Sequence, residues 1–84
     1  MMSDIENEIL EELFFVISYN ELLEEVGCAE RDLEQGLLSL IQREWVKAFS
    51  EIDGEPLEIA YIEDHMKTLY FLASKQGMLA LHGH

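Results

Sequence analysis

Ser18–Val46, SYNELLEEVGCAERDLEQGLLSLIQREWV, holds two helix signals, one tight turn and the start of a strand. Ser18-Tyr19-Asn20-Glu21 has the spacing of a capping box, in which a serine hydroxyl and a glutamate three residues on satisfy each other's backbone amides. A helix over Tyr19–Val26 follows, with Leu22, Leu23 and Val26 turned inward and Gly27 as its left-handed stop. Leu33, Leu37, Leu40 and Ile41 then define an amphipathic helix over Glu30–Arg43. Cys28 and Leu33 stand at the spacing of a hydrophobic staple, with Ala29 at the cap between them. Trp45-Val46-Lys47-Ala48-Phe49 switches to strand composition.

Toward the N-terminus, Ser3-Asp4-Ile5-Glu6 repeats the capping box. Ile5, Ile9, Leu13, Val16 and Ile17 continue as a core stripe, Glu8, Glu11 and Glu12 share the opposite face, and Phe15 falls on that acidic face. Toward the C-terminus, Thr68-Leu69-Tyr70-Phe71-Leu72 reads as a second strand. Ser74-Lys75-Gln76-Gly77 opens a short helix containing Met78, Leu79 and Leu81. Residues 51–67 begin with an Asp53-Gly54-Glu55-Pro56 turn and leave two alternatives open. Leu57, Ile59 and Tyr61 alternate like a strand, while Pro56 equally suits the first turn of a helix.

With 84 residues, 49% of them apolar, the chain is sized for one small core over residues 1–84. No apolar run approaches the ~18 residues that span a bilayer, and the N-terminus lacks a signal-peptide pattern, so a soluble, cytoplasmic protein with no membrane partner is expected. The single cysteine, Cys28, lacks the companions that a disulfide, a zinc ribbon or a redox pair needs. Net charge is -13, and it is lopsided. Residues 1–35 carry 11 acids against Arg31, whereas residues 36–84 carry 7 against Arg43, Lys47, Lys67 and Lys75. The N-terminal half therefore repels polyanions and suits a basic partner or an oligomer interface.

Two short helices joined by a tight turn, then two strands with a loop between them, is the element order of a winged helix-turn-helix. Ser18–Val46 resembles the helix-turn-helix of the MarR and PadR-like regulators, whose segments also carry a Leu pair, a Gly stop, a paired-Leu third helix and an aromatic-Val strand start. Tyr70-Phe71-Leu72-Ala73-Ser74-Lys75-Gln76-Gly77 is similar to their closing wing strand and following helix start. The resemblance implies an α+β winged helix-turn-helix: a three-helix core, a β-hairpin wing and a short C-terminal helix. It also implies a third helix that reads DNA, here with Arg31, Gln35 and Gln42 outward and Arg43, Lys47 and Lys67 around the helix end and wing. Ala29 and Glu44 depart from the usual cap and glycine stop, and the long dimerisation helices of MarR-type proteins are missing.

The charge of that third helix argues against DNA. Glu30, Asp32 and Glu34 crowd its start, and each acid near a phosphate costs on the order of 1 kcal/mol at surface dielectric. The expected function is thus a non-catalytic module working through protein contacts, as a homodimer or with a regulatory partner, with Phe15 and Leu38 as candidate interface residues. Its alternatives are a dimeric DNA-binding transcriptional regulator and an acidic DNA mimic or antirepressor. His65, His82 and His84 have no cysteine pair beside them, so neither a metal nor a cofactor is expected. No nucleophile-elbow or phosphate-loop signature suggests an enzyme.

Overall fold

The computed structural model describes residues 3–51 and 54–82. Helix α1 spans Asp4–Glu12 and opens with the predicted capping box. The Glu6 amide donates to Ser3 Oγ at 3.2 Å, and the Ser3 amide donates to the Glu6 carboxylate at 2.9 Å. The helix stops before the predicted stripe does. Leu13 caps it, the Leu13 carbonyl accepts from the Ala73 amide at 3.0 Å, and Ile17–Ser18 leaves the helix to become strand β1. Val16, Ile17 and Phe15 are therefore not on α1. Spacing alone misled here, because Ile17 packs half-buried against the core as an edge-strand residue paired with Phe71.

Helix α2, Tyr19–Val26, starts at Ser18, whose hydroxyl accepts from the Glu21 amide, and stops at Gly27 with φ 71°. Helix α3, Glu30–Gln42, has Ala29 at its cap with no side-chain bond, and Glu30 and Asp32 in its first turn complement the positive end of the helix. Glu44 takes φ 64°, a left-handed conformation that costs a non-glycine residue about 1 kcal/mol. Two interactions hold that turn. The Trp45 amide donates to the Leu40 carbonyl at 2.9 Å, and Ser74 Oγ donates to the Glu44 carbonyl at 2.7 Å.

Strand β2 is Val46–Phe49 and strand β3 is Tyr70–Ala73, beginning two residues later than predicted because Met66–Thr68 forms a 3-10 turn. The sheet is antiparallel in the order β1-β3-β2, with Phe71 opposite both Ile17 and Ala48. Between β2 and β3 lies helix α4, Ile59–His65, so the connection is not a hairpin and residues 57–61 are not a strand. Ile59, Ile62 and Met66 explain the outcome: at helical spacing they bury Ile62 and Met66, whereas strand alternation would spend an inward position on Tyr61, which is 45% exposed. Pro56 precedes the helix instead of opening it, and the Leu57 amide donates to the Ala48 carbonyl at 2.9 Å. The chain turns where the Gly54 amide meets the Glu51 carbonyl; Asp53 lies outside the described residues. Helix α5, Lys75–His82, starts where Ser74 Oγ accepts from the Gly77 amide.

The described residues thus form a small α+β structure of five α-helices and a three-stranded antiparallel sheet around one apolar cluster. Leu10 and Leu13 of the α1 end, Leu22, Leu37, Ile62 and Phe71 are all essentially solvent-free. Burying such a side chain contributes roughly 1.5–3 kcal/mol each.

Candidate functional site

The outward side of α3 is acidic. Glu30, Arg31, Asp32, Gln35 and Gln42 are exposed. Glu34 is half-buried and accepts a hydrogen bond from the Tyr19 hydroxyl at 3.2 Å. Burial of Tyr19, then the Glu34 carboxylate beside it, pushes that phenol up to about 12. Leu38 is half-buried against the core cluster and offers little free surface.

The cations around α3 are not brought together. Lys67 sits 3.3 Å from Glu30 at the helix start, and Arg43 sits 3.8 Å from Glu6 at its end, with the guanidinium 5.1 Å from the Trp45 ring centre. Thirteen residues separate those ends, a span of about 20 Å. Lys47 is on β2, in a different environment that it shares with Lys75. Arg43 also belongs to an internal network. Burial of the Glu6 carboxyl raises its pKa, but the Ser3 amide, the Ser39 hydroxyl at 2.8 Å and Arg43 outweigh that and hold it below the usual carboxylate range.

The exposed apolar side chains lie elsewhere. Phe15 is 79% exposed, and Phe14 beside it is 50% exposed. The Phe14 ring lies 5.9 Å from the His82 imidazole, and Leu79, one turn earlier on α5, is 61% exposed. The bond between Ala73 and Leu13 fixes the α1–β1 turn beside the start of α5, so these side chains come from adjoining segments. Glu8 and Glu11, exposed on α1, lie on the helix that leads into this turn. Sequence reasoning found Phe15 but not Phe14 or Leu79. The missed signal was the Phe14-Phe15 pair itself, which a helix ending at Glu12 leaves outside.

The remaining reactive side chains are separately placed. His65 stacks on Tyr61 at 4.0 Å, His82 neighbours Phe14, and His84 lies outside the described residues. Among the described residues no three His, Cys, Asp or Glu side chains converge to hold a metal. Burial, then the Asp32 carboxylate, pushes the Cys28 thiol up, which disfavours the nucleophilic thiolate. No helix among the described residues is long and apolar enough to cross a membrane. No protein-family model, curated protein or solved structure matches the chain.

Proposed function

We propose that the chain is a non-catalytic winged-helix module that acts through protein contacts, with Phe14, Phe15 and Leu79 as its docking side chains. The element order, three helices followed by antiparallel β2 and β3 with a short third strand at the sheet edge, supports the winged-helix reading. One observation carries the choice of protein over DNA. Two of the candidate phosphate-neutralising cations, Arg43 and Lys67, are tied to Glu6 and Glu30 at opposite ends of an acidic α3, and Lys47 stands apart on β2, whereas Phe14, Phe15 and Leu79 are exposed.

Two copies facing each other through this surface would bring their acidic first helices together, which charge repulsion opposes. A partner segment with apolar anchors and flanking Lys or Arg matches both features. The test is an NMR titration of isotope-labelled protein with a synthetic amphipathic Lys/Leu helix. Amide shifts concentrated in residues 8–15 and 75–82, lost in a Phe15→Ser/Leu79→Ser variant, support the module. Shifts spread over every acidic helix and unchanged in the variant count against it.

A further inference from the structure

A cleft of about 480 Å³ opens between the end of α3, β2 and α4, a volume within the range of small-molecule sites. One part of its wall is aliphatic, with Ile41, Val46, Leu57 and Ile59, and the rest is polar, with Ser74 and Gln76 beside charged groups; among the described residues no aromatic ring lines it. Lys47 and Lys75 stand on it, both exposed and neither in an ion pair with a described residue. Among the described acidic residues, only Glu44 contributes to the lining. In a chain of net charge -13, the described lining residues thus set two cations against one acid beside an aliphatic wall.

We propose that this cleft binds a medium-chain aliphatic carboxylate. The alkyl chain lies along Ile41, Leu57 and Ile59, where burial removes it from water. The carboxylate takes charge-assisted hydrogen bonds from the Lys47 and Lys75 ammonium groups. A fatty alcohol keeps the first contribution and loses the second, and an alkylammonium of equal length meets like charge. Glu44 opposes the anion, which makes its neutralisation a sensitive control. This surface is separate from the Phe14, Phe15 and Leu79 surface, so the two proposals stand or fall independently.

The experiment is an NMR titration with octanoate, octan-1-ol and octyltrimethylammonium, each below its aggregation threshold. The expected result is saturable octanoate shifts at Lys47, Ile59, Lys75 and Gln76, with affinity in the order carboxylate, alcohol, cation. A Lys47→Gln/Lys75→Gln variant, changed only at exposed side chains, weakens octanoate by about tenfold. Glu44→Gln tightens it by about two- to threefold. The proposal is overturned by absent saturation, by alcohol or cation binding as well as octanoate, or by unaltered octanoate affinity in the double-lysine variant.

Discussion

The surface around Phe14 and Phe15 and the cleft beside Lys47 and Lys75 are opposites in chemistry, although both lean on α5. The first pairs exposed rings and Leu79 with the acidic α1; the second pairs recessed aliphatic walls with two lysines. Net charge describes neither. A uniformly acidic protein would repel every anion and attract every cation, but the local arrangement allows a basic partner on one side and an anionic ligand on the other.

The strongest way to break the comparison is to unseat α5. A Cβ at Gly77 would meet the backbone carbonyl of Trp45, which is fixed in the β2 entry and cannot swing aside. Gly77→Ala should cost about 3 kcal/mol by denaturant titration and erase binding at both surfaces. Gly36→Ala, in the joint between α1 and α3, meets only side-chain ends, Ile9 Cδ1 at 2.7 Å and Ile5 Cγ2 at 3.3 Å. There the gain in helix propensity offsets the crowding, leaving a net change within about 1 kcal/mol. Equal costs at both glycines would show that α5 is no more rigidly seated than α1.

Next in size is Glu6→Gln, which should lose about 1–2 kcal/mol at pH 7 by removing a hydrogen-bonded carboxylate. Because the folded-state pKa of Glu6 is depressed, this stabilisation is present above the ordinary carboxylate value and disappears as pH falls through the folded one. The gap between parent and variant should therefore close in acid; a gap independent of pH would contradict the network. Tyr19→Phe should cost about 1 kcal/mol at neutral pH. The raised phenol gives the sign at the alkaline end: the parent keeps its advantage below pH 10 and loses it between there and about 12, followed by phenolate absorbance. Smallest is Glu25→Lys, an exposed charge reversal in the last turn of α2, where no base is present. It should stabilise by about 0.5 kcal/mol in thermal unfolding at low salt, and the gain should shrink in high salt.

The features legible in the sequence are those settled within a few residues. Ser3, Ser18 and Gly27 announce helix ends because each cap is made locally, and the outcome at Glu44 follows from a tight exit that must bring Trp45 back to Leu40. β1 was not legible, since a two-residue strand exists only through its pairing with distant β3. α4 was ambiguous because Leu57, Ile59 and Tyr61 fit one period and Ile59, Ile62 and Met66 fit another; the core decided between them. Phe15 was visible as an outlier, but the approach of Phe14 to His82 on α5 depends on where the chain turns after α1. The separation of Arg43, Lys47 and Lys67 was equally hidden, because Glu6 and Glu30 are remote in sequence from the cations they hold.

The most direct test of protein contact over DNA reading is fluorescence anisotropy of labelled mixed-sequence duplexes titrated with the protein at about 50 and 200 mM salt. The predicted result is a flat titration at both. Micromolar or tighter binding at the lower salt that weakens steeply at the higher, and is abolished by Lys47→Glu with Lys67→Glu, would contradict it and make this chain a DNA reader.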